Sequence, residues 1–329
     1  MNILVTGGTG YIGEHFIPQL IENGHSVTLL VRNLEKGKKL FKDTCKYIVG
    51  DITDKGSLKG CCENIDVVFH MVAMVGNQLP SDEEFKAFRA VNVGCTRNIV
   101  EEAKMFKVSR FVFVSSIAAM GIVKETPINE KSPCNPYLPY QVTKYEAEQY
   151  INEQVKDGFP AVIVRPTKVY GVGEHEYSYL TLAKLCKKGF FPKVGKGKNY
   201  TSNIYITDFV QALVNLVDNG SIGETYILSS ADSIGLTDAG RIISEVLGKK
   251  IRIISIPAGL MVFAATVVEK IFIKLGKKPI VTRKNIEATV TDRVYDIHKA
   301  REEIGFDPRI SHNEGIRRVV KWYKKEGLV

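Results

Sequence analysis

The chain has 329 residues, 44% of them hydrophobic and 25% charged, enough for a large core and a second lobe, which excludes a disordered or low-complexity protein. Six scattered cysteines (Cys45, Cys61, Cys62, Cys95, Cys134 and Cys186) without CxxC spacing, and no histidine pair at ligand spacing, predict reduced thiols in a cytoplasmic protein and no metal site. The formal charge of +9 lies wholly in the last quarter: residues 1–248 hold 27 Lys and Arg against 27 Asp and Glu, and residues 249–329 hold 18 against 9.

Such asymmetry fits solvated helix faces first, then an anionic ligand or an acidic membrane surface. Nucleic acid is not an expected partner, because no recognition motif accompanies the charge. Met1 leads directly into an apolar run, which leaves no room for a signal peptide, and no apolar run reaches the length of a spanning helix.

In chain order, the strand Ile3–Thr6 runs into Gly7, Gly10 and Gly13, and an apolar helix pattern follows through Ile17, Leu20 and Ile21. Glycines here let the backbone turn tightly, approach a pyrophosphate and pack a helix on the sheet, while the helix N-terminus offers unpaired amides. A tight turn without ligand is the plainer alternative. Gly24 closes the helix, and the strand Ser26–Val31 follows. Tyr47–Val49, a short helix capped by Asp54 or Ser57, and the strands Val67–His70, Arg110–Val114 and Ala161–Val164 come next. Strands alternating with helix-length stretches predict an α/β fold, a doubly wound parallel sheet.

Past Pro166 the pattern weakens through Gly171, Gly173, Gly189, Gly195 and Gly197, then resumes with Tyr205–Ile206, a helix over Asp208–Val217 and the strand Glu224–Leu228. The expected division is a dinucleotide-binding Rossmann domain over 1–165 and 203–232, and a smaller, mostly helical substrate lobe over 166–202 and 233–329.

Tyr140 and Lys144 form a YxxxK pair on one helix face. An ammonium beside a phenol lowers its pKa, so Tyr140 would exchange a proton with an alcohol oxygen near neutral pH. Ser115 and Ser116 end the strand Arg110–Val114, which places a hydroxyl at the carboxyl edge of the sheet, where such folds bind ligands.

Taken together, TGGTGYIG, Asp51–Thr53, Phe69–Ala73, Val91–Ala103, Phe113–Gly121, Tyr140–Lys144, RPTKVYGVG at Arg165–Gly173 and the tail with Asp296, Lys299 and Gly305–Pro308 resemble an extended short-chain dehydrogenase/reductase of the NAD-dependent epimerase/dehydratase family. The resemblance implies that Gly7, Gly10, Tyr11, Ile12 and Gly13 face the pyrophosphate, Asp51 and Ile52 the adenine, and Met71, Val72 and Ala73 the ribose and nicotinamide side, with Pro166 also at the cofactor. Tyr140 becomes the general acid/base, Lys144 holds the nicotinamide ribose, and Ser116, in preference to Ser115, holds the substrate oxygen. Asn92 resembles a supporting asparagine, with a structural role as the alternative. His70 reads as a strand-end residue beside the cofactor.

Cofactor choice turns on the end of the second strand, where an acid would accept from the NAD ribose. Val31 stands there, followed by Arg32, whose guanidinium suits a 2′-phosphate, with Lys36 or Lys38 assisting. NADP(H) is therefore expected, with NAD as the alternative. Ile117–Ala119 after Ser116 lack the acid pair of sugar-nucleotide dehydratases, and Lys168 replaces the asparagine frequent in epimerases. The expected reaction interconverts a ketone and a secondary alcohol, as in the 3β-hydroxysteroid dehydrogenase, dihydroflavonol reductase and hopanoid-associated branch. The alternatives are an NDP-sugar epimerase and a non-catalytic NADP(H) sensor.

The resemblance also implies a homodimer through the helical stretches Asp82–Phe106 and Tyr140–Lys156. Ile256–Val268, followed by Ile271–Leu275, Lys277 and Lys278, is an almost uncharged helical run: a core helix of the substrate lobe, a pocket cover, or a peripheral contact with the inner membrane face. With Lys168, Lys184, Lys187, Lys188, Lys193, Lys196 and Lys198, it favours an apolar or amphipathic small-molecule substrate.

Overall fold

The computed structural model describes residues 1–76, 80–195, 199–274 and 291–329. Lys196, Gly197, Lys198, Leu275, Lys277 and Lys278 lie outside the described residues.

The strands are β1 (Asn2–Thr6), β2 (Ser26–Val31), β3 (Lys46–Val49), β4 (Val67–His70), β5 (Arg110–Val114), β6 (Ala161–Pro166), β7 (Val169–Tyr170), β8 (Phe190–Val194), β9 (Tyr200–Thr201), β10 (Ile204–Tyr205), β11 (Thr225–Leu228), β12 (Ile234–Gly235) and β13 (Arg252–Ile256). The helices are α1 (Tyr11–Glu22), α2 (Leu34–Phe41), α3 (Asp82–Arg89), α4 (Cys95–Met105), α5 (Pro139–Lys156), α6 (Leu180–Lys187), α7 (Ile206–Asn215), α8 (Leu236–Leu247), α9 (Ala258–Lys274), α10 (His298–Ile304) and α11 (His312–Lys325).

Seven strands form one sheet in the order β3-β2-β1-β4-β5-β6-β11, every neighbouring pair parallel. This is the doubly wound arrangement, and it reverses direction between β1 and β4, which opens a crevice at their carboxyl ends. Alternation along the strands feeds a core on each face. Ile3, Val5, Val112, Val114, Val162 and Val164 join one core with Phe16 of α1, Phe209 of α7, Ile243 of α8 and Ile316 of α11. Leu4, Phe111, Phe113, Ala161 and Ile163 join the other with Ile99 of α4 and Ile151 of α5.

Outside the main sheet, β8 pairs with β13 and β9 with β12, so segments on either side of α7 are laced together. His312 adds a latch there. Its Nδ1 lies 2.7 Å from Asp232 Oδ1, and its Nε2 accepts the Asn203 amide at 3.0 Å, which leaves Nδ1 to donate to the carboxylate.

Several boundaries differ from expectation: α7 runs over Ile206–Asn215 rather than Asp208–Val217, so Ile206 opens the helix, and β6 continues to Pro166. The stretch Asp82–Phe106 is helical through Met105, but a π turn over Ala90–Gly94 separates α3 from α4 within it. Ile256 closes β13, and α9 extends to Lys274. That helix is no core element either: among its described residues only Ala265 is buried.

Candidate active site

The crevice at the carboxyl ends of β1, β2 and β4 is a cavity of about 520 Å³, and Gly7, Gly10, Arg32, Asp51, Ile52, Met71, Val72 and Ala73 all line it. At Gly7 the backbone has φ +76°, and a Cβ would come within 3.0 Å of the Met71 carbonyl carbon and the Val72 nitrogen. A side chain there would both strain the turn and close the cavity. Gly10 is the N-cap of α1, so the first amides of the helix, which lack carbonyl partners four residues back, face the turn.

Four expected cofactor contacts are placed otherwise. Gly13 is buried, and a Cβ on it would stand 2.0 Å from the Gly8 carbonyl oxygen, so its missing side chain serves packing of α1 on the turn. The Tyr11 phenol reaches away to the Val172 carbonyl at 3.4 Å, and its ring meets His15 edge-on. Ile12 packs on the apolar core. Pro166 is buried in β6 opposite Leu228. Tyr11 and Ile12 stand in the first turn of α1, with their side chains turned to Val172 and to the core.

On the opposite wall, Arg32 is exposed just beyond β2. Asp51 Oδ1 accepts from the Thr53 amide at 2.9 Å and its hydroxyl at 2.7 Å; these bonds, and secondarily Arg32, hold the carboxyl below its ordinary range. The Gly7 cradle, the helix N-terminus and Arg32 together fit a dinucleotide phosphate chain with a further anionic group.

The second half of the site is built by β5 and α5. Beyond Val114 the two serines diverge. Ser115 is buried and donates to Glu148 Oε1 at 2.5 Å. Ser116 caps a short 3₁₀ turn, accepting from the Ala118 amide at 3.2 Å, and its hydroxyl lies beside the Tyr140 phenol. Pro139 starts α5, with Gln141 Oε1 accepting the Tyr137 and Leu138 amides. Tyr140 and Lys144 follow one turn apart.

Lys144 is buried, donates to the Val114 carbonyl at 2.7 Å and sits 4.5 Å above the Phe113 ring centre. Burial lowers its pKa to about 7, while Glu148 one turn on pulls the other way. The expected lowering of the phenol is not found: burial raises the Tyr140 pKa, Ser116 opposes it and Glu176 adds to it. Desolvation dominates, and the Lys144 ammonium, which donates to the Val114 carbonyl, is not among the groups that shift the phenol. A half-buried phenol that keeps its proton at neutral pH is suited to donating it.

Two supporting groups complete the arrangement. Asn92, inside the π turn, accepts from the Met74 amide at 2.7 Å and donates to the Met74 carbonyl and the Thr143 hydroxyl, each at 3.0 Å. It ties the cavity loop to α5. His70 is buried between the Thr6 and Thr96 hydroxyls, at 2.8 and 3.0 Å, and burial lowers its pKa to about 3. Glu148 escaped sequence reading. Its place four residues beyond Lys144, on the same helix face, was the available signal.

Residues 3–229 match the NAD dependent epimerase/dehydratase family, and the chain belongs to it. The 4-hydroxy-2-methyl-3-oxo-4-farnesyl-3,4-dihydroquinoline-1-oxide ketoreductase of Stigmatella aurantiaca is 26% identical over 321 residues, covering 96% of this chain and 95% of the relative. The 3 beta-hydroxysteroid dehydrogenase/Delta 5-->4-isomerase of Mycobacterium tuberculosis is 25% identical, covering 98% and 90%. Among solved structures, UDP-glucuronic acid 4-epimerase from Bacillus cereus in complex with NAD superposes with a TM-score of 0.76 at 21% identity over 99% of both chains. The protein is an enzyme of the extended short-chain dehydrogenase/reductase type, an oxidoreductase or epimerase that works with a nicotinamide dinucleotide.

Proposed function

We propose that the enzyme is an NADP(H)-dependent oxidoreductase that interconverts a ketone and a secondary alcohol on an apolar or amphipathic small molecule. The observation that carries this is the meeting of Ser116 and a protonated Tyr140 at the end of β5, with Lys144 buried one turn beyond. Two relatives spanning nearly the whole chain bear the names of a ketoreductase and a hydroxysteroid dehydrogenase, which supports the same reading.

A bound nicotinamide supplies the redox half of such a reaction. The chain supplies the rest. Gly7, Gly10 and the start of α1 would hold the phosphates, Asp51 and Ile52 the adenine end, Met71–Ala73 the inner ribose side, and Arg32 the 2′-phosphate that distinguishes NADP(H). Ser116 would orient the substrate oxygen by hydrogen bonding, and Tyr140 would give it a proton in reduction or take one in oxidation. Lys144, one of whose donors goes to the Val114 carbonyl, would hold the ribose with those that remain.

The test is a panel of apolar and amphipathic ketones assayed by loss of NADPH absorbance. Turnover with NADPH that Tyr140→Phe abolishes supports the assignment; stoichiometric inversion of a sugar nucleotide without net cofactor consumption overturns it.

We further propose a symmetric homodimer built on α3 and α5. A groove of about 1210 Å³ runs between them, lined by Phe85, Val93, Tyr145 and Tyr150 and crossed by the Arg89–Glu146 ion pair at 2.7 Å. Apolar rings bordered by paired charges suit a self-complementary contact.

A further inference from the structure

Helix α9 turns an apolar stripe to the outside. Leu260 is 59% exposed, Phe263 67%, Val267 39% and Ile271 50%. Steps of three and four residues put them on one side of the helix, where Ala264, Lys270 and Lys274 are also exposed. The other side does the packing: Ala265 is buried, and Met261, Val262, Val268, Glu269 and Phe272 are partly so. Large side chains in an unbroken exposed row mark a binding face.

The charge around the stripe has one sign. Lys270 and Lys274 stand at its C-terminal end, and the exposed Lys249, Lys250 and Arg252 lead into β13, which runs directly into α9. Residues 249–274 hold five Lys and Arg against the single Glu269, which lies on the packed side. A second copy of the chain would bring the same cations against these in a symmetric contact. An acidic, fluid, apolar partner complements both properties at once. The 17 residues of α9 span about 25 Å at 1.5 Å per residue, short of a bilayer core of about 30 Å. Among the described residues no helix is long and apolar enough to cross a membrane.

We propose that α9 is a monotopic membrane contact: it lies along an anionic bilayer surface with Leu260, Phe263, Val267 and Ile271 in the acyl boundary and the flanking lysines at the head groups. The inference does not depend on the redox reading, since it uses none of the catalytic residues.

The test is flotation of the full chain with phosphatidylcholine vesicles that are pure or carry about a third phosphatidylserine. Binding to the anionic vesicles at low salt is expected, weakened at least about tenfold on pure phosphatidylcholine and falling as salt rises. Phe263→Asp with Val267→Asp should abolish flotation, and Lys270→Glu with Lys274→Glu should weaken it about tenfold or more. Met105→Asp, at an equally exposed apolar position on α4, should leave it unchanged, with equal melting temperatures showing that all variants fold. Absence of flotation on anionic vesicles at low salt overturns the proposal, as does flotation that survives the Phe263 and Val267 substitutions. So does light scattering in which those substitutions reduce the oligomer mass without lipid, since the face would then pair copies of the chain.

Discussion

Arg165 grips Glu148 through two nitrogens in the buried layer beneath the candidate site, Nε at 3.0 Å from Oε1 and Nη2 at 2.7 Å from Oε2. Ser115 donates to the same carboxylate, so one group joins the end of β5, the middle of α5 and β6. Removing one partner leaves the other charge buried and unpaired, which costs about 3–5 kcal/mol. Glu148→Ala should therefore lower stability in urea by about that amount, and Glu148→Gln, which keeps an acceptor, by about 1–3 kcal/mol. Equal midpoints for Glu148→Ala and the parent chain would show that the pair is not a structural tie.

Tyr140→Phe should reduce turnover by about two or more orders of magnitude while leaving dinucleotide affinity within a few fold, because the phenol oxygen moves the proton and the ring keeps the packing. Lys144→Met should damage both. Calorimetric titration beside steady-state kinetics separates the two outcomes.

Acid stability should depend on His70. Its folded pKa of about 3 lies below the ordinary 6.5, so between these values the unfolded chain binds a proton that the folded chain refuses. Stability then falls as pH drops from 6.5 toward 3, by up to about 1.4 kcal/mol per pH unit. Lys144 acts in the same sense over a higher window: its penalty is full below about 7 and fades as pH rises toward 10.5. Urea midpoints across pH 6.5 to 3 should show a shallower slope in His70→Gln; an unchanged slope would assign acid sensitivity to other groups.

Arg32→Ala should weaken NADPH binding by about tenfold or more and leave NADH within a few fold, since only the former carries the 2′-phosphate a guanidinium recognises. Tighter binding of NADH than NADPH by the parent chain would reject the cofactor assignment.

Light scattering at micromolar concentration should give twice the chain mass. Replacing Tyr145 and Tyr150 with Glu should return it to one chain mass without altering the circular dichroism, because both rings line the α3–α5 groove.

The sheet was legible because its central strands are largely buried and read as short apolar runs between polar residues or glycine, so Ser26–Val31, Val67–His70 and Arg110–Val114 fall where expected. The turn at Gly7 and the placement of Tyr140 and Lys144 one turn apart on α5 were legible for a related reason: each depends on spacing within one turn. What spacing could not show was direction. Whether Lys144 points at the phenol or at Val114, whether Gly13 faces the cavity or Gly8, and which of Ser115 and Ser116 is tied to Glu148 depend on neighbours distant in sequence. For α9 the residue types were informative, but the packed side was not: Val262 turns inward and Phe263 outward.

The π turn over Ala90–Gly94 makes the length of this segment more constrained than its composition. A π turn inserts one residue into the α-helical count, which rotates the helix before it by about 100° relative to the helix after it. With that offset, Phe85 and Arg89 face the groove beside α5 while Asn92 points inward to Met74 and Thr143. Deleting a single residue between Ala90 and Gly94 would heal the helix and force a choice between the two faces, so apolar exchanges at Val91 or Val93 should be tolerated in a library where one-codon deletions at the same place are lost.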